Sequence, residues 1–261
     1  MLKYCVVNKK AKSSGLKGMN GIIHSVFSGG TVDGPGIRFV IFMQGCPLRC
    51  KYCHNPDTWA TAGGEERSVE SLTSEIIRYK NYFGIQGGVT VSGGEPLLQI
   101  DFVIELLKAV KSYGINTAVD TSGALFNADN QEILNKYEEL SNYVDLFLLD
   151  IKHIDDSSHK NLTGVSNKNT LAFAKWLDKK GKKVWIRHVL VPNYTDDDES
   201  LNKLNEFIKT LSNVEKIEVL PYHTMGEVKY QKLGIDYALK GVKAPDKERV
   251  NNAKRILGII K

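Results

Sequence analysis

The sequence predicts an α/β fold with a parallel sheet, of the partial (β/α)6 TIM-like barrel type. Short apolar runs rich in β-branched residues alternate with longer amphipathic segments from about residue 37 onward. These runs lack strict polar alternation, which is typical of strands covered on both faces. Six strand–helix units make an open barrel, smaller than the eight-unit barrel. A doubly wound sheet has the same alternation, so the pattern alone leaves that alternative open.

Six apolar runs are predicted as strands, and the segments between them as helices. Parallel strands need such crossovers, and the crossovers are right-handed. The runs cover residues 37–43, 89–91, 117–119, 144–151, 184–191 and 217–220.

Two of the predicted helices show the i, i+3, i+4, i+7 spacing of an amphipathic helix. We expect Asp101 to cap the first of them and Gly114 to end it. A last helix is predicted over residues 246–257, with Pro245 near its first turn. The two apolar stripes consist of Val103, Leu106, Leu107 and Val110, and of Leu201, Leu204, Ile208 and Leu211.

Length and charge favour one domain behind a short basic tail. With 261 residues, we predict a single domain over residues 21–261 and a tail over residues 1–20 that contains five lysines. The Lys-rich stretch 9–17 is expected to be a solvated tail. No run of about 18 apolar residues predicts a membrane span, and the tail lacks the apolar region of a secretory signal. We expect a cytoplasmic protein, and at a net charge of +5 without nucleic-acid motifs, no nucleic-acid partner.

Three of the four cysteines lie within eight residues as C-x3-C-x2-C: Cys46, Cys50 and Cys53. Cys5 is far upstream, and a secreted disulfide framework would spread its cysteines more evenly. Three thiolates can hold three irons of a [4Fe–4S] cluster and leave the fourth iron open. The spacing also permits a structural zinc site with His54 as fourth ligand, although adjacent Cys53 and His54 are awkward ligands for one tetrahedral metal.

Polar candidates follow most of the predicted strands. Ligand sites of parallel α/β folds gather at the carboxyl ends of strands, so we expect these residues on one rim. Taken singly, Asp150 and Lys152 also fit a surface ion pair of little energy, and His223 also fits a packed histidine. The rim candidates are the cysteine loop, Gly93, Gly94, Glu95, Asp120, Thr121, Asp150, Lys152, Arg187 and His223.

The cysteine motif, with Tyr52 before its last cysteine, resembles the signature of the radical S-adenosylmethionine (SAM) superfamily. Residues 91–96, VSGGEP, resemble the GGEP motif of that superfamily. Its glycines let the backbone approach a ligand, and the Glu95 carboxylate can bind an ammonium group. The resemblance implies one [4Fe–4S] cluster whose open iron binds SAM. Reduction then cleaves SAM to methionine and a 5′-deoxyadenosyl radical.

A D-T pair, a D-x-K and a P-Y-H resemble the glycyl-radical activating enzymes within that superfamily. The resemblance implies that oxygen ligands hold a monovalent cation, K⁺ or Na⁺, beside the SAM carboxylate. It also implies a SAM site on the same rim, with no side-chain acid or base required. The implied cation ligands are Asp120, Thr121 and Asp150, and the implied SAM contacts are Tyr52, Cys53, His54, Gly93, Gly94, Glu95, Asp150, Ile151, Lys152, Arg187 and His223.

The stretch GTVDGPGIR at residues 30–38, with residues 21–25 before it, resembles the activating enzymes that act on pyruvate formate-lyase. This implies an oxidoreductase of anaerobic metabolism that generates a glycyl radical on pyruvate formate-lyase. The implied reductant is flavodoxin or ferredoxin, and Asp33 is the implied contact to the protein substrate. The resemblance extends from about Gly21 to the C-terminus, and further stretches that carry it are residues 52–55, 57–59, 164–167, 183–187, 214–218 and 220–223.

The segment between Cys53 and Gly93 contains about forty residues and no cysteine. It therefore lacks the ferredoxin-like insert of many relatives, and one cluster is expected. Two rival hypotheses stay open from the sequence. One is a radical SAM enzyme for a small molecule or for another glycyl radical enzyme. The other is a zinc-bound interaction protein without catalysis.

Overall fold

The computed structural model describes residues 18–260, so Cys5 and the stretch 9–17 lie outside the described residues. Eight strands form one open sheet in the order β3-β1-β2-β4-β5-β6-β7-β8. The strands are β1 (Asn20–Gly30), β2 (Arg38–Met43), β3 (Glu65–Ser68), β4 (Gly88–Gly93), β5 (Asn116–Thr121), β6 (Leu146–Asp150), β7 (Val184–Leu190) and β8 (Val214–Pro221).

The six predicted strands are β2 and β4 to β8, and every neighbouring pair among them is parallel. Their order in the sheet follows their order in the chain without a reversal. Right-handed crossovers between strands in that order put the helices on one face, as in a barrel. The open partial-barrel prediction is confirmed, and the doubly wound alternative is wrong because a doubly wound sheet reverses its strand order.

An antiparallel edge of two strands was not predicted. β1 pairs with β2 on one side and with β3 on the other, with Ile23 opposite Met43 and Asn20 opposite Ser68. β1 contains Gly, Ser and His between its apolar residues, and β3 has the sequence EERS. Neither forms an apolar run, because strands of an antiparallel sheet commonly bury only one face.

The helices fill the crossovers as predicted. The stripe of Val103, Leu106, Leu107 and Val110 is buried in the main core. On the other stripe Leu201, Leu204 and Ile208 are buried, while Leu211 follows the end of its helix. The helices are α1 (Val69–Arg78), α2 (Ile100–Ser112), α3 (Gln131–Ser141), α4 (Asp156–Thr163), α5 (Lys168–Lys179), α6 (Asp198–Lys209), α7 (Glu227–Leu233) and α8 (Lys247–Ile256).

The observed helix ends agree with the boundaries predicted from the sequence at two places and differ from them at one. Gly114, with φ +67°, ends α2 as predicted, and Asp246 caps α8 by accepting from the amide of Arg249. Asp101 does not cap α2, so that prediction is wrong. A 3-10 turn over Pro96–Gln99 runs directly into α2, which leaves Gln99 at the cap and Asp101 in the first turn, paired with Lys136. Over residues 18–260 no helix has both the length and the apolarity to cross a membrane.

Candidate active site

A cavity of about 310 Å³ lies where the parallel strands end. Parallel strands present their carboxyl ends at the same edge, which brings together side chains far apart in sequence. The cavity is lined by the loop after β2, by the GGEP turn after β4 and by the ends of β5, β6 and β7. Its lining includes Asp33, Cys46, Cys50, Tyr52, Cys53, His54, Ser92, Gly93, Gly94, Glu95, Asp120, Thr121, Ser122, Asp150, Lys152 and Arg187.

Backbone hydrogen bonds hold the cysteine loop at this edge. The amide of Cys46 donates to Trp59 O, and the amides of Arg49 and Lys51 donate to Thr163 O and Leu162 O at the end of α4. Burial raises the pKa of Cys46 to about 12 and that of Cys50 to about 11. Free thiols here stay protonated at neutral pH, so only a bound cation, such as cluster iron, would keep them as thiolates.

The cysteine geometry fits a cluster better than a single metal ion. In the part of the chain that the structure describes, no three His, Cys, Asp or Glu side chains converge on one ion. A [4Fe–4S] cluster does not need such convergence, because each thiolate binds a different iron. His54 is also engaged elsewhere, since its ring stacks on His223 at 4.0 Å and its Nε2 lies 3.1 Å from His223 O.

Glu95 of the GGEP turn is buried, with 1% of its surface exposed. Its Oε1 accepts from Thr121 Oγ1 at 2.6 Å and from the Leu97 amide at 3.2 Å. Its Oε2 accepts from the Ser122 amide at 2.9 Å and from Ser122 Oγ at 2.5 Å. An ionised carboxylate offers about four acceptor positions, so protein donors occupy all of them. Glu95 therefore fastens the GGEP turn to the end of β5.

Gly93 and Gly94 of the same turn leave no room for side chains. A Cβ on Gly93, where φ is +111°, would lie 2.2 Å from the Met43 amide nitrogen. A Cβ on Gly94 would lie 2.2 Å from Gly45 O. Glycine is required at both positions, because the turn packs directly against the start of the cysteine loop.

Asp120 at the end of β5 has one carboxylate oxygen in use and one free. Oδ2 accepts from Ser92 Oγ at 2.9 Å and from Arg187 Nη1 at 3.0 Å. Oδ1 is buried and finds no hydrogen-bond partner among residues 18–260. Burial raises the pKa of Asp120 to about 6, against the opposing effect of Arg187. A buried acceptor without a donor is costly, and a cation would satisfy it.

Asp150 and Lys152 form an ion pair at the cavity wall rather than on the open surface. Lys152 Nζ lies 2.9 Å from Asp150 Oδ2 and 5.8 Å from the centre of the Tyr52 ring. Burial is the largest single influence on the pKa of Lys152 and lowers it, but Asp150, Tyr52 and Cys50 together outweigh burial, and the net shift is upward. The ammonium group stays charged beside the cysteine loop.

Arg187 of β7 connects Asp120 to the GTVDGPG loop. Besides Asp120, its guanidinium binds Glu218 Oε2 at 3.2 Å and donates to Val32 O at 2.6 Å. Asp33 of this loop lines the cavity, and Thr90 Oγ1 donates to its carbonyl at 2.6 Å. Burial raises the pKa of the Asp33 carboxyl, and Arg187 opposes that shift.

The structure brings most of the predicted site residues together, with two exceptions. His223 does not line the cavity and instead supports the ring of His54. Ile151 is fully buried, with its amide donating to Arg187 O. Three polar residues of the site were not predicted: Ser92, Ser122 and Glu218. The signals available were a serine directly before the GGEP motif, a serine directly after the D-T pair and a lone acid in a strand, and all three are common elsewhere.

Comparison with known proteins agrees with this geometry. Residues 40–204 match the family model described as Radical SAM superfamily. The fold and the site thus define the class of radical SAM proteins, which implies an iron–sulfur cluster and SAM as cofactors.

Curated relatives narrow the class. Proteins named pyruvate formate-lyase-activating enzyme are 53% identical in Streptococcus mutans (92% of this chain, 91% of the relative) and 52% identical in Listeria monocytogenes (91% and 96%). One from Clostridium pasteurianum is 50% identical, covering 91% of this chain and 97% of the relative. The chain therefore belongs to the family of pyruvate formate-lyase-activating enzymes within the radical SAM superfamily.

Solved structures share the fold. A domain of a pyruvate-formate lyase-activating enzyme from Bacteroides vulgatus has a TM-score of 0.53 at 28% identity and covers 66% of this chain and 94% of that one. Streptococcus suis SuiB bound to S-adenosylmethionine has a TM-score of 0.62 at 20% identity, covering 82% of this chain and 44% of that chain. At that identity the second likeness concerns the fold alone.

Proposed function

We propose that this chain activates pyruvate formate-lyase by generating a glycyl radical on it. The observation that carries the proposal is one cavity lined by Cys46, Cys50 and Cys53 together with the GGEP turn and the strand-end charges. Cys46, Cys50 and Cys53 would hold a [4Fe–4S] cluster, which would supply the electron for the cleavage of SAM to the radical that takes the glycine hydrogen. The family of curated relatives supports the identity of the protein substrate.

For SAM, the chain offers polar groups on three sides of the cavity. Tyr52, Cys53 and His54 form the side proposed for the adenine, and Lys152 offers a charged donor. The backbone of Gly93 and Gly94 lines the cavity. Glu95 would act on SAM through this backbone, since protein donors occupy its own oxygens. Ile151 and His223 do not line the cavity, and they would support the proposed SAM site from behind its lining residues.

A monovalent cation, K⁺ or Na⁺, completes the proposed site. Asp120, Thr121 and Asp150 supply oxygen ligands, the type that hard cations prefer. The free Oδ1 of Asp120 supports this, because it is a buried acceptor with no protein donor in the described chain. The cation would neutralise part of the negative charge that the SAM carboxylate brings.

The substrate glycine would enter beside residues 30–36. Asp33 is the proposed contact, and Arg187 holds the loop through Val32 O. The main requirement is the position of the substrate glycine, because its Cα hydrogen must lie close to the radical carbon with water excluded. The electron would come from flavodoxin or ferredoxin, and a cytoplasmic location stays a prediction.

Electron paramagnetic resonance under strict anaerobiosis tests the function. Reconstituted protein, a reductant, SAM and purified pyruvate formate-lyase should give a glycyl radical signal that requires every component. The Cys50→Ala variant is the matched control and should give none. If 5′-deoxyadenosine forms without a glycyl radical, the radical SAM chemistry stands and the protein substrate is a different one.

A further inference from the structure

The outer surface of the cysteine loop has no role in the mechanism above. We call it the α7 face and define it by Arg49, Trp59 and residues 225–243. Arg49 lies between two of the cluster cysteines, and its guanidinium sits 5.1 Å from the centre of the Trp59 ring. Trp59 in turn packs edge-on against Tyr230 of α7, with ring centres 5.7 Å apart. None of these three side chains lines the cavity.

This face reaches one cluster ligand through a single side chain. Trp59 packs in the same apolar group as Cys53, and Trp59 is only partly buried. Tyr230 packs in the same apolar group as Cys50 and Cys53. Electron tunnelling decays steeply with distance, so an electron donor must dock where a cluster ligand lies near the surface. The α7 face meets that condition without blocking the cavity.

Contacts to the cysteine loop keep α7 fixed against it. Lys229 Nζ lies 2.8 Å from Asn55 Oδ1 and 2.9 Å from Asp57 Oδ2. A Cβ on Gly226 would lie only 3.0 Å from the His54 Cα, so the two segments are in close contact. A partner bound to α7 would thus sit at a defined distance from the cluster.

The charge of the α7 face differs in sign from that of the described chain. Six of the 35 Lys and Arg residues lie outside residues 18–260 and no Asp or Glu does, so 29 cationic side chains face 30 acidic ones. On and around the α7 face the cations prevail. They are Arg49, Lys229, Lys232, Lys240 and Lys243, against Glu227 and Asp236.

Exposed apolar side chains lie among these cations. Met225 is 73% and Val228 54% exposed, and Leu233 and Ile235 are exposed as well. Four of the exposed large apolar side chains among residues 18–260 therefore lie within residues 225–235. An apolar centre with a charged rim is the usual anatomy of a docking surface, and the charge steers the encounter.

We propose that the α7 face docks an acidic one-electron carrier protein that reduces the cluster. The inference rests on the proposed function, which requires a reductant. Charge selects this occupant: the lysines of the tail and a second copy of this face would be repelled. The substrate protein must instead present its glycine to the cavity. In the redox step one electron leaves the carrier, for example a flavodoxin hydroquinone that becomes a semiquinone, and the cluster goes from the 2+ to the 1+ state.

The test uses reduced flavodoxin as the probe and two matched double variants. Lys232→Glu with Lys240→Glu reverses two exposed charges on the α7 face. Lys179→Glu with Lys209→Glu makes the same charge change at the C-terminal ends of α5 and α6. These helix ends lie next to the amino ends of the parallel strands, away from the cysteine loop. Anaerobic titration calorimetry measures flavodoxin binding to the reconstituted protein. Stopped-flow absorbance measures cluster reduction by flavodoxin and, separately, by photoreduced deazaflavin.

We expect the α7-face variant to bind flavodoxin about tenfold more weakly at low ionic strength, with a similar loss in reduction rate. High salt should remove this difference in flavodoxin binding. Deazaflavin should reduce the cluster of both variants at the same rate as that of the unmodified protein. Equal flavodoxin binding by the two variants would overturn the proposal. The proposal would also be overturned if the α7-face variant bound pyruvate formate-lyase more weakly but flavodoxin as tightly as before. That result would assign the face to the substrate protein. If the unmodified protein did not cleave SAM after reduction by deazaflavin, the proposed function would be overturned instead. The flavodoxin-binding measurements would still test the α7 face independently.

Discussion

The two sides of the cavity use a buried carboxylate in opposite ways. On the β4–β5 side, Glu95 has every acceptor position filled by a protein donor. On the β5–β7 side, Asp120 has one oxygen bound by Ser92 and Arg187 and the other without a partner in the described chain. The first side is complete as a piece of protein structure. On the second side, one carboxylate oxygen has no hydrogen-bond partner among residues 18–260.

The comparison teaches that burial and sequence motif do not by themselves identify a ligand contact. Both carboxylates lie at strand ends on one rim, and both belong to motifs shared with the family. What separates them is how many of their acceptor positions the protein satisfies. Glu95 stabilises the turn that shapes the cavity, whereas Asp120 retains unused capacity for a cation.

The largest effect is expected at the cysteine loop, on which both sides depend. Replacing Cys50 with Ala removes one of three ligands and should abolish the cluster, measured as iron and sulfide content after reconstitution. Cys5→Ala is the control and should retain a full cluster. Loss of iron in Cys5→Ala would mean that the ligand set is wrong.

Matched amide variants compare the two sides directly. Glu95→Gln places an amide group against donors and leaves a backbone N–H unsatisfied, so we expect a loss of about 3 kcal/mol in the free energy of unfolding. Asp120→Asn removes a charge that the folded state disfavours, as the raised pKa of Asp120 indicates, and should leave that free energy at neutral pH unchanged or higher. Urea unfolding of the reconstituted proteins measures both. Equal losses would contradict the comparison.

Asp120→Asn should instead weaken ligand binding. Without a charged oxygen the proposed cation site would lose affinity, and the SAM carboxylate would lose the proposed counter-ion. We expect about tenfold weaker SAM binding with the cluster retained, equivalent to roughly 1.4 kcal/mol. Equilibrium binding of SAM at fixed K⁺ measures this. Unchanged SAM affinity would remove the cation site from the proposal.

The pKa of Asp120 predicts a pH dependence with a definite sign. Its folded value of about 6 exceeds the ordinary 3.8, so the folded state holds the proton more tightly than the unfolded state. Asp120 therefore contributes stability at low pH that is lost as pH rises from about 4 through about 6. Asp120→Asn should lack this contribution. Unfolding free energies of both proteins across that window, without added cation, test the sign.

The smallest effect is expected at Arg187, which connects the open side to the GTVDGPG loop. Arg187→Lys keeps the charge but cannot bind Asp120, Glu218 and Val32 O at once. We expect a severalfold rise in KM for a glycine-containing substrate peptide, with SAM cleavage in the absence of peptide nearly unchanged. An equal loss in both assays would mean that Arg187 acts on SAM rather than on the loop.

Much of the fold followed from local pattern. The six parallel strands and the apolar stripe of α2 depend on spacing within one segment, and their order along the chain predicts the sheet. The antiparallel edge could not be predicted in this way. β1 and β3 form because each pairs with a neighbour along its whole length, and neither carries an apolar run of its own.

The sequence by itself determined the cluster cysteines and the set of polar residues on the rim. Three thiols within eight residues are close in any fold, and strand ends converge in any parallel sheet. Only the tertiary structure decided that Glu95 is saturated, that Asp120 has one oxygen without a partner among residues 18–260, and that Arg187 reaches Val32, 155 residues away. The reason is that hydrogen-bond satisfaction depends on the register of strands distant in sequence, which residue type and spacing do not encode.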